Sequence, residues 1–127
     1  MLPPSLKYLA DLLTTLPSIG PRQGLRLAFY IMNLGAAKIA EFSEALLRIS
    51  TLKLCAQCFF VHGNADGLCD ICRKPQRNGQ LVAIVEKETD VMSLEKTKKF
   101  LGHYLVLGEL TKSGVLDYLQ KMKLAHL

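Results

Sequence analysis

Four cysteines, and no others, punctuate the middle of this 127-residue chain: Cys55-Ala-Gln-Cys58, then ten residues, then Cys69-Asp-Ile-Cys72. Two such pairs across a short loop have the spacing of a tetrahedral zinc site, in which each pair forms a knuckle that aims both sulfurs at one point. Four thiolates close the coordination shell and leave no position for water or substrate, so the expected role is structural. One zinc ion held by Cys55, Cys58, Cys69 and Cys72 is therefore the expected cofactor. The alternative is a pair of disulfides, for which four cysteines allow three connectivities. Met1-Leu2-Pro3-Pro4 lacks the charged and apolar regions of a secretory signal. A reduced, cytoplasmic compartment is expected, where disulfides are rare. His62 lies within the loop and, with four sulfurs present, reads as a surface histidine. Gly63, Asn64, Asp66 and Gly67 supply turn residues for a short ribbon between the knuckles.

Sixteen basic and eleven acidic residues give a net charge of +5. One zinc and four thiolates would lower this to about +3. Arg73, Lys74, Arg77 and Lys53 flank the knuckles and would offset the negative sulfurs. The basic balance fits an anionic partner. No run of eighteen apolar residues is present, so no membrane-spanning helix is expected. Half the residues are apolar, enough for a folded core. There is no internal repeat and no low-complexity segment.

Upstream of the cysteines, Pro3 and Pro4 can open a helix. Leu6, Leu9, Ala10, Leu13 and Leu16 then recur at helical spacing, up to Pro17. The turn Leu16-Pro17-Ser18-Ile19-Gly20 leads to Pro21, which starts a second helix. Leu25, Leu27, Ala28, Phe29, Ile31, Met32 and Leu34 surround that helix, so it should be central and buried. Gly35 ends it, and a third helix should run from Ala36 to about Leu52. Helix, Pro-Gly turn, helix is a helix-hairpin-helix arrangement. Its turn directs backbone N–H groups and a helix N-terminus at a DNA phosphate. Arg22 and Arg26 lie four apart on one face of the second helix. The same pattern also describes a plain helical hairpin with two solvated arginines.

Downstream, Leu81-Val82-Ala83-Ile84-Val85 reads as a strand buried on both faces. A helix capped by Thr89 or Asp90 follows, burying Val91, Leu94 and Leu101 and stopping at Gly102. Tyr104-Leu105-Val106-Leu107 is a second strand, completing one βαβ unit, and a last helix spans about Lys112 to Leu124. The whole is an α+β fold in three parts: a helical part at 1–54, a four-cysteine finger at 55–80 and an α/β part at 81–127. Glu86, at the carboxyl end of the first strand, lies where open α/β sheets place their sites. One acid does not hold a catalytic magnesium, and Asp-x-Asp is absent. Glu86, Glu88 and Asp90 straddle a turn and a helix start, which favours capping and a solvated acidic edge. No nucleophile–histidine–acid set and no Gly-rich phosphate loop stands out.

Taken in order, LPSIGPRQGLRLAF, CAQCFF, GLCDICR, VEKETDVMSLEKT and YLVLGEL closely resemble the RecR family of bacterial recombination mediators, over about residues 5 to 124. The resemblance implies a non-enzymatic DNA-binding protein of recombinational repair. Such proteins act with RecO, and in some lineages RecF, to load RecA on single-stranded DNA. It implies DNA contacts, to single or double strands, at Ile19, Gly20, Arg22 and Arg26, and zinc ligands at the four cysteines. The α/β part then corresponds to the start of a Toprim domain. Its acid falls on Glu86, with Asp90 beside it, for contact with RecO rather than for catalysis. It also implies a nucleoid-associated, ring-like homodimer or homotetramer. The family's Toprim domain is longer, so the two-stranded sheet here is expected to be covered by a second chain. Two other functions compete: a protein–protein adaptor with little DNA affinity, and a Toprim-type magnesium-dependent nuclease.

Overall fold

The computed structural model describes residues 1–127, which form two units, Met1–Ser50 and Thr51–Leu127. The first unit is helical: α1 (Pro4–Leu13), α2 (Pro21–Asn33) and α3 (Ala36–Ile49). Prolines at the starts of α1 and α2 set the first turn without sacrificing a needed N–H. Between them the chain reverses through Ser18, which sits in the left-handed region at φ 65°. Leu6, Ala10 and Ala28 make the small core of this unit, with Leu9, Leu13 and Leu25 against it. Gly24 brings α1 and α2 together. A Cβ there would lie 2.8 Å from both the carbonyl oxygen of Ala10 and the Cγ2 of Thr14, so only glycine fits.

The apolar residues around α2 predict a buried central helix, and this is corrected here. Only Gly24 and Ala28 of α2 are buried, while Tyr30 and Met32 are exposed. α3 ends at Ile49 rather than near Leu52 and buries no residue; Phe42, Leu46, Leu47 and Ile49 are all exposed. Three helices of ten to fourteen residues bring too little surface together to cover every apolar side chain they carry.

The second unit joins the cysteines to the α/β part in one core. β1 (Lys53–Leu54) pairs antiparallel with β2 (Val61–His62) around the first knuckle. β3 (Asn78–Val85), α4 (Glu88–Thr97) and β4 (Gly102–Val106) form the βαβ unit, with β3 and β4 parallel. α5 (Tyr118–Ala125) closes the chain. Cys55, Cys58, Cys69, Ile71, Val91, Tyr104 and Val106 share a single cluster.

Several details depart from expectation. β4 is the buried strand; β3 exposes Leu81, Val82 and Ile84, because its sheet has only two strands and its outer edge has no neighbour. Of the residues expected to face inward from α4, Val91 is buried but Leu94 and Leu101 are exposed. α4 ends at Thr97, with Lys98 in the left-handed region at φ 56°. Gly102 is not the helix stop but the first residue of β4. The register slips between Asn78 and Val82, and a Cβ on Gly102 would lie 2.5 Å from the carbonyl oxygen of Leu81. α5 starts at Tyr118 instead of Lys112. Asp117 and Gln120 form its reciprocal cap, with the Gln120 amide donating to Asp117 Oδ1 at 2.8 Å and the Asp117 amide to Gln120 Oε1 at 3.0 Å.

Candidate metal centre

Each knuckle is a backbone device before it is a ligand set. In the first, the Cys55 amide donates to the carbonyl of Phe60 at 2.8 Å and the Phe59 amide returns to the carbonyl of Cys55 at 3.0 Å. Phe59 takes φ 64° to make that reversal. In the second, the Arg73 amide donates to the Cys69 carbonyl at 3.1 Å. The two knuckles are joined by the Ala56 amide, which donates to the carbonyl of Gly67 at 2.9 Å, with Gly67 at φ 81°. The loop between them is held by Asn64, whose Nδ2 donates to the carbonyl of Leu68 and to Asp70 Oδ1, both at 2.9 Å.

These constraints bring all four sulfurs within 4.8 Å of one another. All four cysteines are free thiols, and Cys58 and Cys69 Sγ lie 3.5 Å apart. Four thiolates around zinc at about 2.3 Å would stand about 3.8 Å apart, so the cluster has the size a tetrahedral ion needs. Backbone N–H groups of Gln57, Phe60 and Cys72 point at Cys55, Cys58 and Cys69 Sγ, each at 3.4 Å, and favour thiolate character. Hydrogen bonding from the Cys72 side chain holds the Cys58 thiol down at about 5 against its burial. Burial pushes Cys69 up to about 11, and Cys72 rises because its proton is shared with Cys58. A dication bound among them would favour the deprotonated form of all four sulfurs in this buried space. Cys55, Cys58 and Cys69 are essentially sealed, and Cys72 is half-buried. The residues fit a structural metal ion, and no other set of three or more His, Cys, Asp or Glu side chains is close enough to hold one.

The flanking cations do not all serve the sulfurs. Arg73 pairs with Asp66 at 3.1 Å. Arg77, expected to offset the thiolates, turns instead to the βαβ unit. Its guanidinium pairs with Glu95 and donates to the carbonyls of Phe100 at 3.2 Å and Gly102 at 3.1 Å. Glu95 also accepts from the Tyr104 hydroxyl at 2.7 Å. Its carboxyl is held below the usual carboxylate range, chiefly by Arg77. His62 is likewise corrected: it is buried, with Nδ1 accepting from the Asn64 amide at 3.0 Å and Nε2 without a partner. Burial next to the knuckle loop follows from the β1–β2 pairing, which turns His62 inward and Val61 outward.

The remaining site residues fall in two places. Arg22 and Arg26 are exposed on α2, and Gly20, exposed, is its N-cap; Ile19 is half-buried, its amide donating to Leu16 at 3.4 Å. Glu86 and Asp90 are half-buried at the end of β3 and the start of α4. Glu86 accepts from the Leu110 amide at 3.4 Å, and Asp90 from the Lys87 amide at 3.0 Å, so Asp90 acts as a helix cap. Sequence reasoning missed Gly24, the close strand approach at Gly102 and the Arg77–Glu95–Tyr104 chain. No local signal marks any of them.

No family model matches the chain. Individual relatives do. It is 42% identical over 103 residues to the recombination protein RecR of Parasynechococcus marenigrum, covering 80% of this chain and 53% of that protein. It is 40% identical over 106 residues to RecR of Synechocystis, covering 83% and 45%. With RecR of Cutibacterium acnes it shares 38% over 104 residues, covering 81% and 51%. The chain spans about half the length of the curated relatives it matches. Over four fifths of its own length, this chain is a relative of the RecR recombination proteins.

Proposed function

We propose that this chain is a DNA-binding, zinc-stapled, non-enzymatic component of a recombination mediator. The observation that carries the reading is the likeness to RecR proteins at about 40% identity across most of the chain. The start of α2 supplies the contact. Pro21 at its first turn has no N–H, and the next amides have no intrahelical partner, so the positive helix end faces outward at Gly20. Gly20 leaves open space where a Cβ would stand, which lets a phosphate approach the backbone. Ile19 shapes the turn, and the exposed Arg22 and Arg26 extend the positive surface along one face. Zinc is the metal the four-sulfur set selects. Its chemistry is charge neutralisation and cross-linking of the two knuckles. The sheet follows a helix-hairpin-helix and the finger as a partial Toprim unit.

In this reading the chain works with RecO, and in some lineages RecF, in loading RecA on single-stranded DNA. Glu86 and Asp90, half-buried at the end of β3 and in the first turn of α4, form the RecO-facing edge. Homodimers or homotetramers cover the open β3 edge and add weak DNA contacts through effective concentration. A protein adaptor is the second reading, favoured by the exposed apolar face of α3.

A salt titration of single-stranded and duplex DNA binding, followed by anisotropy, separates the two. Arg22→Ala with Arg26→Ala weakens binding and flattens the log–log salt slope by roughly 0.7 to 0.9 per lost phosphate contact. An unchanged slope removes these arginines from the interface, and no DNA affinity even at low salt favours the adaptor.

A further inference from the structure

We infer that Cys72 is a redox modification site through which peroxide opens the metal centre. The four sulfurs are not equally reachable. Cys55 is 0% exposed and Cys58 and Cys69 are each 1% exposed, behind Ile71, Val91, Tyr104 and Val106. Cys72 alone is half-buried. It lines an open cavity of about 450 Å³, shared with Gln57, Lys74, Gly79, His103 and Leu127. That cavity gives a small oxidant or alkylating agent a path to Cys72, whereas the other three cysteines are sealed in the core. With zinc bound all four sulfurs are thiolates, so access selects the one that is oxidised first.

The chemistry balances with hydrogen peroxide as the named oxidant. The Cys72 thiolate attacks one peroxide oxygen. An S–O bond forms, the O–O bond breaks, and hydroxide leaves; sulfur is oxidised by two electrons and peroxide reduced by two. The resulting sulfenic acid stands among three further sulfurs, all within 4.8 Å. One of them, as thiolate, attacks the Cys72 sulfur and displaces hydroxide from it, leaving a disulfide. Two of the four donors are then lost, and the two that remain do not hold the ion. Because Cys58 is also bonded to β4 through its carbonyl, loss of the ion loosens the βαβ core as well.

This inference rests on the zinc reading, so zinc content is measured before any oxidant is added; an absence of zinc at that stage refutes the parent reading and the inference with it. The zinc-loaded chain is treated with limiting hydrogen peroxide and dimedone, or with limiting N-ethylmaleimide. Adducts are assigned by tandem mass spectrometry, and free zinc is read with a colorimetric chelator. The expected result is labelling of Cys72 at least about ten-fold ahead of any other cysteine, with zinc released in step with peroxide. Equal labelling of the four, or earlier labelling of Cys55, Cys58 or Cys69, overturns the inference. So does oxidation of Cys72 that leaves the zinc in place.

Discussion

The backbone amide of Val106 donates a 2.8 Å hydrogen bond to the carbonyl oxygen of Cys58. A cysteine of the first knuckle and the last residue of β4 are therefore fastened directly. The side chains of both lie in the same buried cluster. The finger is thus not an appendage. It forms one wall of the core whose other wall is the βαβ unit.

Metal removal should accordingly unfold more than the knuckles. Structural zinc contributes about 10 to 16 kcal/mol of apparent folding free energy in small domains, as much as or more than the whole stability of most. Chelation of the reduced protein is expected to abolish the near-ultraviolet signal of Tyr104 and Phe100, which pack at 5.1 Å between ring centres. Part of the helical signal should persist from α1, α2 and α3, which lie in the other unit. Circular dichroism before and after chelation checks this. A melting curve unaltered by the chelator would remove the metal from the folding argument.

The Arg77–Glu95–Tyr104 chain gives the same core a pH dependence at both ends. Glu95 is held below its ordinary value, first by Arg77, so its contribution is present above the unfolded carboxylate range and fades as pH falls through the folded value. Tyr104 moves the other way. Burial, and then the hydrogen bond it donates to Glu95, push its hydroxyl up to about 12. Its contribution is complete below the ordinary tyrosine value near 10 and is lost as pH rises through about 12. Glu95→Gln should cost about 1 to 3 kcal/mol at neutral pH in urea unfolding and flatten the acid limb of stability. In Tyr104→Phe the phenolate absorbance step near pH 12 should disappear.

Gly102 tests the register slip between β3 and β4. An added methyl group would meet the Leu81 carbonyl oxygen at 2.5 Å and the Phe100 ring at 2.7 Å. Backbone on one side leaves little room to yield. Gly102→Ala is expected to lose about 2 to 3 kcal/mol. Gly79→Ala, with open space around its added carbon, should stay within about 0.5 kcal/mol. Equal melting temperatures for the two variants would mean that the close approach of Leu81 to Gly102 does not exclude a side chain.

What could be read in the chain follows from how local each feature is. Cys55–Cys58 and Cys69–Cys72 carry their geometry in their spacing, and Pro21 marks the start of α2 within its own turn. Asp117 and Gln120 also carried a legible cap, which a start at Lys112 overlooked. Gly102 and Gly24 could not be understood that way, because the backbone oxygens that forbid a side chain there belong to Leu81 and Ala10, far along the chain. Arg77 meets Glu95 eighteen residues on, and no spacing rule links them. The apolar run at Leu81–Val85 misled for a thermodynamic reason. Such a run signals burial, but a sheet of two strands has nothing with which to bury it.

The turn before α2 offers the last test, and it bears on the DNA reading. Ser18 takes φ 65° without the freedom of a glycine, a conformation that costs an L-residue about 1 to 2 kcal/mol. Ser18→Gly relieves that strain, while the more flexible unfolded chain takes back about 0.5 to 1 kcal/mol. A net gain of about 0.5 kcal/mol is expected in the stability of the helical unit. If the turn at Ile19 and Gly20 lies against phosphate, the smaller side chain also permits closer approach, so DNA affinity should hold or rise with the salt slope unchanged. A loss of affinity in this more stable variant would show that the serine hydroxyl itself makes a contact. The positive end of α2 would then not be sufficient to hold the phosphate.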